Sequence, residues 1–346
     1  MKYLVIGTTF IDIKGFPEGK FILDGRNTGH IEYVHGGVAR NIAENLGRLG
    51  KEITFLSVID QSPFGQAVVS RLRESRVRTD YMTEDPAGLG TWLAVFDDAG
   101  DVAASISRRS DMTALLSVFD QAGDEIFAGA DGILLEIDIE KEIVDRVFSF
   151  AATYDIPVYA VISNMDYAMK YGAFYNPVSC LTCNGQEAEM LFGEELRSLE
   201  PEEIAGKLSL LLPRAGTGRK HAEERAADRM EEGIQNGKEG SDAAAERTGD
   251  RTKDGSFEEE GYRIERIVVT LGDRGAVYYD GVCQSSGVVP ALPVEVLDTT
   301  GAGDAFFTGV SIGLTENKSL REACMFGAEL SSMVISTREN VCPRQG

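Results

Sequence analysis

The feature that most constrains this chain is an alternation of two patterns along its length. Apolar runs of four to six residues at 3–6, 53–58, 132–137, 157–162 and 267–271 are too short for buried helices. Between them lie stretches of helical spacing. In 39–49, Ile42, Ala43, Leu46 and Leu49 share one face, and Gly50 stops the helix. Residues 65–75, 303–313 and 320–336 read as further helices. Strands buried on both faces and joined by crossover helices predict an α/β fold around a mostly parallel sheet.

Two regions depart from that pattern. Residues 11–35 and 91–107 are β-rich, and the second holds Asp97-Asp98-Ala99-Gly100-Asp101 as a hairpin turn. Together they predict a small sheet set apart from the main one. Residues 214–261 carry thirteen acidic and nine basic side chains and eight glycines, with little large apolar surface beyond Met230, Ile234 and Phe257. Such a segment cannot bury enough surface to offset its ordering entropy. It predicts a disordered surface insertion between a helix ending near Leu212 and the strand at 267.

With 346 residues, 43% of them hydrophobic, the chain has material for a sizeable core in one large domain. A net charge of −22 repels nucleic-acid backbones and anionic membranes, so neither is expected as a main partner. The short N-terminal apolar run, broken by Asp12, is not a signal peptide, and no stretch is apolar enough to span a bilayer. Five cysteines, an odd number, point to reduced thiols in a cytoplasmic protein. Cys180 and Cys183 form a C-x-x-C, but no second ligand pair accompanies it for zinc, so buried thiols are the expectation. His30, His35 and His221 have no metal-ligand spacing, and His35, just before Gly36-Gly37, reads as structural, with contact to the acceptor as the alternative.

The strongest chemical signal is Asp298-Thr299-Thr300-Gly301-Ala302-Gly303-Asp304-Ala305-Phe306. A glycine-rich turn follows a strand-like run at 294–297 and opens a helix. Small residues allow close backbone approach, and free N–H groups at a helix N-terminus favour an anion. A carboxylate beside that pocket supplies what phosphoryl transfer needs: a base for the attacking hydroxyl next to donors for the transferred charge.

This string resembles the C-terminal signature of PfkB-type (ribokinase-like) carbohydrate and nucleoside kinases. The resemblance implies that Asp304 is the catalytic base and that the amides of Gly301, Ala302 and Gly303 form the anion hole. It also places Asp298 and Thr300 where some members bind a monovalent cation such as K⁺. Gly36-Gly37-Val38-Ala39-Arg40-Asn41 resembles the N-terminal signature, so Gly36, Gly37 and Asn41 are expected to contact the phosphate acceptor, with Asp12 holding its hydroxyls. Asn184-Gly185-Gln186-Glu187 is similar to the family's N-x-x-E motif, which organises magnesium and phosphate oxygens, with Glu187 reaching the metal through water. Thr270 and Gly272 are expected to line the nucleotide pocket. Asp138 is assigned to the substrate side in preference to Glu136, because strand alternation is expected to turn Glu136 away.

The resemblance covers 1–213 and 262–342. It implies a three-layer α/β/α fold with a small β lid, ATP and Mg²⁺ as cofactors, a sugar or nucleoside as acceptor, and a homodimer formed through the lid. The Arg40-Asn41 pair and the late run Glu339-Asn340-Val341 are similar to bacterial pseudouridine kinases, so pseudouridine leads, with a simple sugar such as ribose or fructose as the alternative. A non-catalytic sugar or nucleoside sensor is the alternative of another class. The intact Asp304, Gly301 and Gly303 speak against it. A dinucleotide-binding dehydrogenase does not fit, because the first strand ends Gly7-Thr8-Thr9-Phe10 without G-x-G-x-x-G.

Overall fold

Residues 1–85, 89–170, 172, 176–212 and 262–344 are described by the computed structural model. The expected insertion at 214–261 lies outside them. In chain order the elements are β1 (Lys2–Ile6), β2 (Phe10–Pro17), β3 (Gly29–Gly36), α1 (Val38–Arg48), β4 (Glu52–Leu56), β5 (Val58–Ile59), α2 (Pro63–Glu74), β6 (Thr83–Glu84), β7 (Gly90–Phe96) and β8 (Val102–Arg108). Then come α3 (Leu115–Phe127), β9 (Gly132–Glu136), α4 (Lys141–Tyr154), β10 (Val158–Val161), α5 (Met165–Lys170), β11 (Cys180–Asn184), α6 (Gly185–Phe192) and α7 (Pro201–Leu211). The chain closes with β12 (Arg266–Thr270), β13 (Ala276–Asp280), β14 (Ser285–Val289), α8 (Ala302–Thr315) and α9 (Leu320–Ile335).

Eight strands form the central sheet in the order β14-β13-β12-β11-β10-β9-β1-β4. From β12 to β4 every pairing is parallel, and β13 and β14 extend the sheet as an antiparallel meander. Alternation divides the strand side chains between two cores. Leu4, Ile6, Ile133 and Leu135 pack with residues of α3, α4, α6 and α7. Tyr3, Val5, Ile53, Phe55 and Leu134 pack on the other face with α1, α2, α8 and α9. This is the expected three-layer α/β/α arrangement. Helices α8 and α9 cross closely at small residues: a Cβ on Gly309 would lie 2.6 Å from the Gly327 Cα.

The small sheet has the order β3-β2-β7-β8 and matches the two β-rich stretches that stood apart in sequence. Its hairpin turn is held by Asp97, whose carboxylate accepts the N–H groups of Ala99 and Asp101 at 2.9 Å each. Two local expectations are corrected. The run at 53–58 is broken into β4 and β5, and residues 294–297 form no strand. Leu297 instead donates its N–H to the Ile335 carbonyl at 2.7 Å, which ties the approach to α8 onto the end of α9. Among the described residues no helix is long and apolar enough to cross a membrane.

Candidate active site

Parallel strands deliver their carboxyl ends to one edge of a sheet, and ligands bind there. Here β1 runs out into Gly7-Thr8-Thr9, β9 into Asp138, β11 into Asn184 and β12 into Thr270. The small sheet and the N-termini of α1 and α8 complete the edge. At the root of the small sheet, Asp12 on β2 faces the end of β3. A Cβ on Gly36 would sit 2.4 Å from the Asp12 carboxylate, so only glycine lets the two strands meet around that side chain. Gly37 then turns the chain into α1 at φ 97°, a conformation that glycine adopts without strain.

The first turn of α1 presents Asn41, and the first turn of α8 presents Asp304. These side chains, 263 residues apart, meet directly: Asn41 Nδ2 donates to Asp304 Oδ2 at 2.6 Å. Burial pushes the Asp304 carboxyl up to about 7, opposed by the Asn41 hydrogen bond and the Arg40 charge and reinforced by Glu136 and Asp12. The residue keeps one side open to the cleft, being half-buried rather than sealed. A carboxylate poised near neutrality suits a general base. Burial also raises the Asp12 carboxyl.

The N–H groups at the start of α8 are the candidate anion donors. Gly301 caps the helix at φ 79°, and a Cβ there would lie 2.0 Å from the Asn340 carbonyl oxygen. The first intrahelical bond is made by the Ala305 N–H to Gly301, so the amides before it lack helical partners. One expectation is narrowed: the Ala302 N–H donates to the Thr299 carbonyl at 3.2 Å, leaving Gly301 and Gly303 as the better-placed donors of the three. Asp298 accepts the Thr300 N–H at 2.8 Å, so these two form one compact turn just before the anion donors.

Glu136, like every residue of β9, is buried. Its carboxylate accepts the Thr8 N–H at 2.7 Å and the Ser163 hydroxyl at 2.7 Å, and burial together with the neighbouring Asp138 holds its pKa up. Asp138 is engaged by Arg109 at 2.9 Å and by the Ser163 N–H at 2.9 Å. Asp138 therefore works within a buried ion pair, while Glu136 lies close enough to Asp304 to influence its titration.

Asn184 and Glu187 form a reciprocal capping box on α6: Asn184 accepts the Glu187 N–H at 2.9 Å, and Glu187 accepts the Asn184 N–H at 2.8 Å. Asn184 is also the register partner of Thr270 across β11 and β12, and exposed Gly272 follows at φ 65°. Burial and the Asp138 charge raise the Glu187 carboxyl, an environment that would welcome a cation. Among the described residues no three His, Cys, Asp or Glu side chains gather as a metal cage. Magnesium keeps several waters and takes its remaining ligands from substrate phosphates, so Glu187 with few protein oxygens fits it.

Arg40 lies wholly inside the protein, and sequence gave its side chain no role. It donates to the carbonyls of His35 and Gly36 and to Glu44, whose carboxylate also takes Arg48 at 2.6 Å and Arg71 at 2.9 Å. The end of β3 is thus tied to a charge cluster, centred on buried Glu44, that joins α1 to α2. Cys180 and Cys183 are buried in β11, and burial pushes the Cys180 thiol to about 12 and raises Cys183 as well, which leaves both unreactive.

A mostly parallel sheet, a small separate sheet and a carboxylate beside a glycine-rich helix start together match a ribokinase-like fold. The chain belongs to the pfkB family carbohydrate kinases, which it matches over residues 1–220 and 255–342. It is 28% identical to the guanosine-inosine kinase of Exiguobacterium acetylicum over 342 residues, covering 98% of this chain and 96% of the relative. It is 24% identical to the pseudouridine kinase of Escherichia coli (strain K12) over 334 residues, covering 96% and 90%. Among solved structures it resembles the ribokinase of Arabidopsis thaliana complexed with ribose and ATP, with a TM-score of 0.67, 17% identity and coverage of 99% and 96%. The protein is a phosphotransferase acting on a sugar or nucleoside hydroxyl.

Proposed function

We propose that this kinase transfers the γ-phosphoryl group of ATP to the 5′-hydroxyl of a nucleoside, with Asp304 as general base. The observation that carries the assignment is the 2.6 Å contact between Asn41 and Asp304, which joins the acceptor signature to the base. Asp12 and Asn41 hold the acceptor. Asp304 takes the hydroxyl proton as the oxygen attacks the γ-phosphorus, the bond to the bridging oxygen breaks, and ADP leaves. Gly301 and Gly303 amides meet the charge on the transferred group. Magnesium, held by Glu187 through water, would neutralise phosphate charge during transfer. Asn184, Thr270 and Gly272 would border the nucleotide, and Asp298 with Thr300 would hold a K⁺ ion that stiffens the anion turn.

A nucleoside is favoured over a free sugar by one feature of the lid. Trp92, the only tryptophan, is the register partner of Asp12, so the two share a face, and its half-buried ring offers a base a stacking surface. The two named relatives are also nucleoside kinases by name. Pseudouridine, inosine and guanosine are the leading acceptors, with ribose as the sugar alternative. The opposite lid face carries exposed Ile31, Tyr33, Leu93 and Ile106, and a homodimer through that face is part of this proposal. A cytoplasmic setting, where ATP and reduced thiols occur together, completes it.

The test is transfer of label from γ-labelled ATP to pseudouridine, inosine, guanosine or ribose, with the product identified by mass. Label in a nucleoside 5′-phosphate supports the proposal. Label in ribose phosphate alone would replace it with the sugar reading.

A further inference from the structure

The segment after α9 crosses the N-terminus of α1, and one side chain in it links three parts of the site. Asn340 is buried, 7% exposed. Its Nδ2 donates to the His35 carbonyl at 2.8 Å and to Asn41 Oδ1 at 3.2 Å. Its own backbone carbonyl abuts Gly301, the cap of α8. His35 stands at the base of β3, where the lid joins the body, and its carbonyl also accepts Arg40 Nη2.

These contacts fix a sequence of polarities. The His35 carbonyl can only accept, so the amide nitrogen of Asn340 must face it. The same nitrogen then donates to Asn41, which forces Asn41 to present its oxygen to Asn340 and its nitrogen to Asp304. A lone asparagine amide has two orientations of nearly equal shape, and only one of them gives Asp304 a donor. We infer that Asn340 is a positioning residue for phosphoryl transfer, fixing the amide of Asn41 so that it donates to Asp304 and tying that contact to the lid root. The inference rests on the assignment of Asp304 as the base.

Asn340→Asp preserves shape but replaces the donor with an acceptor. Asn41 then gains by turning its nitrogen toward residue 340, which brings its oxygen against Asp304. The charged groups around Asp304 are Arg40 from α1, Glu136 from β9 and Asp12 from β2, and the substitution leaves all three in place. The test measures kcat, KM and the pH profile of kcat/KM for Asn340→Asp and Asn340→Ala, each also in an Asn41→Ala background, with Asp304→Asn alongside. The expected result is a fall in kcat of about tenfold or more, KM for ATP within about twofold, and an acid limb displaced to higher pH. In the Asn41→Ala background the further loss should shrink to about twofold, because the pair acts as one unit.

A lowered thermal transition with kcat and the pH profile unchanged would overturn the inference. So would a full loss persisting in the Asn41→Ala background, since Asn340 would then act by another route. If Asn340→Asp does not fold, Asn340→Ala carries the same comparison. An unaffected Asp304→Asn enzyme would instead overturn the base assignment, so the two failures are distinguishable.

Discussion

A catalytic carboxylate must lose its proton at working pH and yet be basic enough to take one from an alcohol. As the proposed base, Asp304 would meet both demands at a cost in stability. An aspartate ordinarily titrates at 3.8, and Asp304 keeps its proton in the folded state up to about 7. The folded protein therefore binds an extra proton between those values, and its stability falls as pH rises through that window, by at most about 1.4 kcal/mol per unit. Water on the open side of the cleft reduces the effect. Asp304→Asn is neutral throughout, so it should raise the melting temperature relative to wild type more at pH 8 than at pH 5. Equal differences at the two pH values in calorimetry would contradict the electrostatic account. Asp304, Asn41 and Gly301 could be singled out in sequence because each sits in a contiguous string, and the structure brings Asn41 and Asp304 into contact. The contacts of Glu136 were not legible, because its partners Thr8 and Ser163 follow other strands of the sheet. Arg40 and Asn340 were not legible as site residues, because their roles exist only when the end of β3, α1 and the C-terminal segment come together.

At the scale of elements, the proposed anion donors are only as well placed as α8 is. That helix is buried along residues 305–313 and is set by its crossing with α9 at Gly309 and Gly327. Gly309→Ala should gain about 1 kcal/mol of helix propensity. The added Cβ, however, would lie 2.6 Å from backbone that cannot rotate aside, and such overpacking costs roughly 1–3 kcal/mol or more. The clash wins, so net destabilisation in urea unfolding is expected, together with a loss of kcat as the first turn of α8 shifts. An unchanged midpoint would mean that the helices separate freely. Among the described residues, five of the six strands in parallel pairings of the central sheet were readable in sequence as short apolar runs, and β11 was not. The strand expected at 294–297 was not formed, because its exposed apolar residues precede a turn and the Leu297 N–H is taken by Ile335 rather than by a sheet. The β13–β14 hairpin gave no comparable signal, since β14 has the polar and small sequence Ser285-Ser286-Gly287 at its start.

At the scale of the whole molecule, the small sheet has two uses in this proposal. Asp12 and Trp92 share the face proposed for the acceptor, and the other face exposes a row including Leu93 and its register partner Ile106, which is 71% exposed. If lids pair through that row, Ile106→Glu buries a charge in the interface and should produce a monomer by sedimentation at micromolar concentration. A wild-type protein already monomeric under those conditions would remove the dimer. The three-layer architecture and a small separate sheet were legible from the alternation and its two interruptions. The division of α1, α2, α8 and α9 to one face and α3, α4, α6 and α7 to the other was not, because sequence spacing carries no record of which side a crossover helix takes.

The most direct test of the central claim is the pH dependence of kcat/KM for ATP-dependent phosphorylation of the preferred nucleoside, wild type against Asp304→Asn. The account predicts that wild-type activity falls on the acid side with a midpoint near 7, and that the variant loses roughly 10²–10⁴-fold in kcat with the nucleoside KM little changed. A variant within threefold of wild type across the pH range would contradict the assignment of Asp304 as the base.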